Sequence, residues 1–112
     1  MTALVERLLV QFPELQPLYD QHIRDSDELL SYVFLAGVTR FVVIATEDAS
    51  RLPRLKQLLD FFETELGGQD EEVDALIHLG FGENLLGESH AQAVLRPIMG
   101  ARLLEIMRHY PA

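Results

Sequence analysis

The chain has 112 residues, 48% of them apolar and 8% aromatic, with no tryptophan, which suits one globular domain with a single core and excludes a disordered segment. Eighteen Asp and Glu against nine Lys and Arg leave a net charge of −9, so the surface repels phosphate backbones and anionic membranes and attracts a basic protein, where it is not acidic for solubility alone. The absence of cysteine excludes a disulfide framework, a thiol nucleophile and cysteine-ligated metal sites.

The first stretch, MTALVERLLVQFPEL, places Glu6 and Arg7 inside its apolar run and lacks a small-residue cleavage site, unlike a secretory signal. The longest uncharged run, residues 29 to 39, is 11 residues long, well short of the roughly 20 that span a bilayer. The expectation is a soluble cytoplasmic protein.

Helical spacing recurs along the whole chain. Leu4, Leu8, Leu9 and Phe12 form one stripe that ends before Pro13. Leu15, Leu18, Tyr19 and Ile23 form a second, in a short helix that starts near Pro13. Asp25, Ser26 and Asp27 then offer a loop and a cap. Residues 30 to 45 pose the main ambiguity, because "FVVIAT" is β-branched and suits a strand. Leu30, Phe34, Val38, Phe41, Ile44 and Ala45 nevertheless keep helical spacing throughout, and the reading is a buried central helix. Ser50 is positioned to cap the next helix, with the stripe Leu52, Leu55, Leu58, Leu59, Phe62 and Leu66, which Gly67–Gly68 stops. Asp70, Glu71 and Glu72 give an acidic first turn to a helix running through Val73, Leu76, Ile77, Phe81 and Leu85 to Gly87. Ser89 is placed to cap the last region, interrupted near Pro97 and Gly100. The fold expected is all-α: a single domain, residues 1 to 112, of six or seven short antiparallel helices around the central one.

"IHLGFGENLLGE" combines two glycines with a Glu–Asn pair. A dinucleotide loop requires a preceding strand, and a Walker loop requires Lys followed by Ser or Thr; neither is present. On a helix, Gly80 falls beside Phe81 and Leu85 on the packed side, where lacking a side chain lets another helix approach. Asn84 shares that face and is expected to tie its helix to a neighbouring element. Glu83 lies one step round, positioned to pair with Arg40. The stretch reads as a packing device.

"DEEVDALIHLGFGENLLGE" resembles the signature of a family of small helical proteins found in bacterial toxin–immunity loci, acidic–Val–x–x–Leu–Ile–x–x–x–Phe–x–Glu–Asn–Leu. "FPELQPLYDQHIRDSDELLSYVFLAGVTRFV" is similar to that family's Pro–Glu–Leu, Tyr–x–x–His and Val–Phe segments, and "PIMGARLLEIM" to its closing Gly-led helix. The chain departs at Gly82, where an aliphatic residue is usual, and at Ser31–Tyr32, where Pro–His is common. The resemblance implies a non-catalytic protein that binds a partner, an immunity protein neutralising a toxin.

No residue pattern points to an enzyme. His22, His78, His90 and His109 lack HExxH-type spacing, so no metal or other cofactor is expected. His22 is expected to bond a neighbouring loop and His109 to lie near a helix end. No Ser or Thr occupies a nucleophile elbow. The remaining candidates are the acidic groups Asp25, Asp27 and Glu28, and Asp70, Glu71 and Asp74, read as exposed helix starts that meet a basic partner such as a toxin domain. A helical adaptor of another bacterial pathway would use the same surface.

Overall fold

In the computed structural model, which describes residues 3–112, seven α-helices joined by single 3-10 and π turns account for the secondary structure, and no described residue is in a strand. The radius of gyration, 13.1 Å, matches the roughly 13 Å of a compact chain of this length. The all-α bundle expected from the spacing is what forms.

Helix α1 (Ala3–Gln11) buries Leu4, Val5 and Leu8 and gives way at Phe12 to a 3-10 turn, Pro13–Leu15. Helix α2 (Gln16–Ser26) places no residue wholly inside. It leans on the bundle through Tyr19, edge-on to Phe34 at 5.6 Å, and ends at Asp27 with φ 60°. His22 Nε2 accepts from the Leu30 amide at 3.0 Å, fastening the following loop as anticipated.

Residues 41–45 are helical, within α3 (Ser31–Ala45). β-branching disfavours helix by well under 1 kcal/mol per residue, and burial overrides it here. The buried face is Phe34, Leu35, Val38, Thr39, Val42 and Ala45, rotated from the expected stripe: Leu30 precedes the helix and Ile44 is 66% exposed. Because α3 is apolar almost all round, spacing alone could not fix its phase. Asp48, rather than Ser50, caps the next turn (Ala49–Arg51), accepting from Ser50 N at 3.0 Å and Ser50 Oγ at 2.7 Å.

Helix α4 (Leu52–Leu66) buries Leu55, Leu58, Leu59, Phe61 and Phe62. Arg54 ties it back to the α1–α2 connection: Nε and Nη2 donate to the two Glu14 carboxylate oxygens at 2.6 and 2.8 Å, and Cζ lies 4.3 Å from the Phe12 ring centre. After Gly67–Gly68, Asp70 caps α5 (Glu71–Ile77), accepting from Glu72 N and Val73 N.

The chain then widens into a π-turn, His78–Gly82, and tightens into a 3-10 turn, Glu83–Leu85. Gly80 meets α3 directly: a Cβ there would lie 2.7 Å from Leu35 Cβ, closer than carbon atoms can sit. Thr39 Oγ1 lies 3.0 Å from Gly80 O. The anticipated close approach is thus present, but Asn84 is exposed, and its Nδ2 donates to Gly80 O (2.9 Å) and Leu79 O (3.3 Å) of its own helical segment. It serves the carbonyls of the π-turn instead of bridging to a neighbour, because the change of pitch swings position 84 off the packed face. Among the described residues Glu83 and Arg40, both exposed, form no ion pair.

Helix α6 (Ser89–Leu95) follows Glu88 without a side-chain cap, so Ser89 is a first-turn residue and not the cap expected. A 3-10 turn, Arg96–Ile98, leads to α7 (Ala101–Met107).

Gly80→Ala should cost about 1–3 kcal/mol through overpacking against Leu35. Asn84→Ala should cost about 0.5–1.5 kcal/mol, since Thr39 still serves the Gly80 carbonyl. Urea unfolding of both variants checks the ranking. The Arg54 hydrogen bond holds the Glu14 carboxyl below its ordinary 4.5, and those from Ser50 hold Asp48 below 3.8. Depressed carboxyls stabilise the fold above their ordinary values, and that contribution disappears as pH falls through the lowered ones. Melting temperature should therefore drop between about pH 5 and pH 2, and Glu14→Gln should shrink the drop.

Candidate functional site

The acidic start of α5 divides its side chains between two depressions. Asp70, Glu72 and Val73 line one of about 590 Å³, with Ala3, Leu4 and Arg7 of α1 and with Leu29 and Ser31. The segment following Glu28 is therefore a neighbour of the α5 acids. Arg7 is committed to Glu65, with Nε 3.1 Å from both carboxylate oxygens, and that hydrogen bond raises its already high pKa.

One turn on, Asp74 faces a cavity of about 440 Å³ between α4, α5 and α7. Leu66, Ala101 and Ile106 make its apolar part, and Asp74, His78, Arg102, Glu105 and His109 its polar wall. Asp74 and His78 are one helical turn apart and share a face, and His109, just beyond the end of α7, lines the same wall as Glu105. The fold turns the two histidines towards each other, with the imidazole centres 5.3 Å apart. His78 Nδ1 lies 2.7 Å from the Tyr110 hydroxyl, whose pKa is raised by burial and then by the charge of Glu83.

The charges of this wall differ in how they are committed. Arg102 Nη1 stands 3.5 Å from Glu63, which also caps α7: its two oxygens accept from the amides of Arg102 (2.9 Å) and Leu103 (3.0 Å). Gly100 makes room for that carboxylate, since a Cβ there would come within 2.5 Å of it. Glu105 pairs with Arg108 at 3.1 Å. Asp74 Oδ1 is shut away from solvent with no hydrogen-bond partner. Asp74 is thus half-buried, contrary to the exposed position expected of it. Among the described residues, no group of three or more His, Asp and Glu could hold a metal ion.

The fold gives the other anticipated residues separate places. Asp25 is exposed, accepts from Gln21 Nε2 at 2.8 Å, and lines a different depression with His22 and Arg40. Asp27 is the left-handed residue ending α2, and Glu28 is exposed. Glu71 lies on the outer surface of α5. Phe81 and Leu85 are core residues, Phe81 packing on Phe62 with ring centres 5.0 Å apart. His109 follows the end of α7, as anticipated. The contribution of His78, His109, Arg102 and Glu105 to one wall was missed. Their pairwise spacing is visible in the sequence, but the facing of α5 and α7 is not.

A family model matches residues 5–110. The chain belongs to the family described as domain of unknown function DUF7674. No curated protein and no solved structure matches it. The site of this DUF7674 chain is accordingly read from its own geometry. No helix among the described residues is long and apolar enough to cross a membrane.

Glu63→Ala removes two acceptors from the start of α7 and should cost about 1–2 kcal/mol, whereas Glu63→Gln, retaining one oxygen, should cost less. Thermal melts of the two variants test this.

Proposed function

We propose that this DUF7674 protein is a non-catalytic partner-binding protein whose α5 region receives a basic protein, in its most specific form an immunity protein that neutralises a bacterial toxin by direct binding. The observation that carries the reading is the division of labour among the acids. Glu14, Glu63, Glu65 and Asp48 are engaged within the fold, while Glu71, Glu72 and Asp74 make no side-chain hydrogen bond or ion pair among the described residues. Uncommitted charges on one short helix raise the association rate of a basic partner and sort against acidic ones. The resemblance to immunity proteins supplies the toxin. An adaptor of another pathway would use the same acids, and the gene immediately upstream separates the two readings: a toxin-bearing gene favours immunity.

A second reading, general acid–base chemistry, is favoured by the proximity of His78 and His109 to Asp74. It ranks lower because Tyr110 engages His78 Nδ1 and the cavity wall offers no hydroxyl or thiol nucleophile.

The test uses Asp70→Asn, Glu71→Gln and Glu72→Gln combined. Asn retains the capping oxygen at position 70, so melting temperature should stay within about 2 °C. Capture from the native host should recover a basic protein, and the triple variant should bind it about tenfold more weakly in low salt, the difference shrinking as salt rises. Equal, salt-independent binding by both proteins assigns the −9 charge to solubility alone.

A further inference from the structure

We infer that His22 is a pH-sensitive latch on the connection between α2 and α3: unprotonated, it holds the residue at which α3 starts, and protonated, it releases it. Leu30 precedes α3 with extended backbone (φ −105°, ψ 95°), and its carbonyl accepts the first helical bond, from Phe34 N at 2.9 Å. A leucine has no side-chain oxygen with which to cap a helix. His22 holds this residue from across the loop instead, its Nε2 accepting from the Leu30 amide at 3.0 Å. That nitrogen accepts only while it carries no proton, so the bond requires the neutral ring with its hydrogen on Nδ1. Imidazole is the side chain that ordinarily gains its second proton between about pH 8 and pH 5. Once it does, two N–H donors face each other and the bond is lost.

The surroundings leave the ring open to both states. It is half-buried, 5.9 Å from the Phe34 ring, and lines a depression of about 230 Å³ through which a proton can arrive. Asp25, on its own helix, lines the same depression and favours the protonated ring, as do the exposed loop acids Asp27 and Glu28. From α3, Arg40 lines it and favours the neutral ring, as does the positive end of the helix dipole. Neither sign of charge alone imposes a state. The loop begins at Asp27 in the left-handed region, φ 60°, a conformation costly to a residue with a side chain, so it gains by moving once unfastened. Its Leu29, with Ser31, lines the depression that Asp70 and Glu72 share. Release therefore reshapes the surface beside the α5 acids. The effect of that change on a partner rests on the binding reading above, whereas the latch does not.

NMR of the isolated full-length protein tests the latch between about pH 8 and pH 5, above the range in which the depressed carboxyls of Glu14 and Asp48 take up protons. At the upper end, a coupling between the Leu30 amide nitrogen and His22 Nε2 should be visible across the hydrogen bond. It should vanish in step with protonation of the His22 ring. Hydrogen-exchange protection of the Leu30 amide should fall about fivefold over the same range, the worth of one ordinary hydrogen bond. His22→Gln puts an oxygen that does not titrate where Nε2 stood, so it should keep the protection and lose the pH dependence. It also retains His78, His90 and His109, so a change that survives in it belongs to those rings. His22→Phe should show the low protection at every pH. The latch is overturned by absence of the coupling at the upper end, by coupling or protection that persists on the protonated ring, by a ring still neutral at about pH 5, or by the same pH dependence in His22→Gln. The wild-type measurements decide it even where a variant fails to fold. A failed latch leaves partner binding standing, because the capture experiment reads a different surface.

Discussion

The bundle depends on the contact between α3 and the π-turn at Gly80. α3 is apolar on nearly every side, so hydrophobic burial alone leaves its rotation about its own axis undetermined. The contact with Gly80 fixes it. Leu35 occupies the space a side chain at position 80 would take, and Thr39, buried on the same face, sets its hydroxyl 2.8 Å from Leu35 O and 3.0 Å from Gly80 O. A steric constraint and a hydrogen bond thus act at one point and choose which residues of α3 face inward. Choosing Val38 and Val42 for the core leaves Val33 and Ile44 exposed, so an exposed apolar side chain here is a consequence of phase and needs no partner to explain it.

The same π-turn sets the far side of the molecule. Gly82 is buried, and a Cβ there would come within 2.8 Å of Ile106 and 3.0 Å of Tyr110. Gln92, fully buried, then anchors the chain end: Nε2 donates to Leu85 O (2.6 Å) and Tyr110 O (2.9 Å), and Oε1 accepts from Arg96. The two glycines admit α3 on one side and α7 with Tyr110 on the other, and the glutamine holds Tyr110 beside His78. The cavity wall exists because these packing choices agree.

Much of the fold was legible because it follows from local rules. The helices, their order, the stop at Gly67–Gly68 and the role of Gly80 follow from spacing and from the steric properties of glycine. Less local features were not. The phase of α3 is invisible in a uniformly apolar run. Asn84 looked buried because a regular 3.6-residue pitch was carried through position 80, and the π-turn breaks that pitch. Ser50 and Ser89 looked like caps by residue type, while Asp48 and Glu88 take those positions. For the site, the acids of α5 were visible as a run, but not that Asp70 would be spent on capping, or that Asp74 would be partly enclosed.

That difference between acids of one type bears on how a marginally stable protein can carry a binding surface. A carboxylate that both caps a helix and meets a partner ties affinity to stability, because altering it changes both. Along α5 capping falls to Asp70, which bonds the first amides, while the side chains of Glu71 and Glu72 make no hydrogen bond or ion pair among the described residues, and under the proposed reading their charge is left for a partner. Their charge still favours the helix N-terminus through its dipole by about 0.3–1 kcal/mol each, so leaving them unpaired costs the fold little. The lone desolvated oxygen of Asp74 runs against that economy. Such a group is worth about 1–3 kcal/mol of lost stability when unmet, a cost that falls on Asp74 alone among the described side chains.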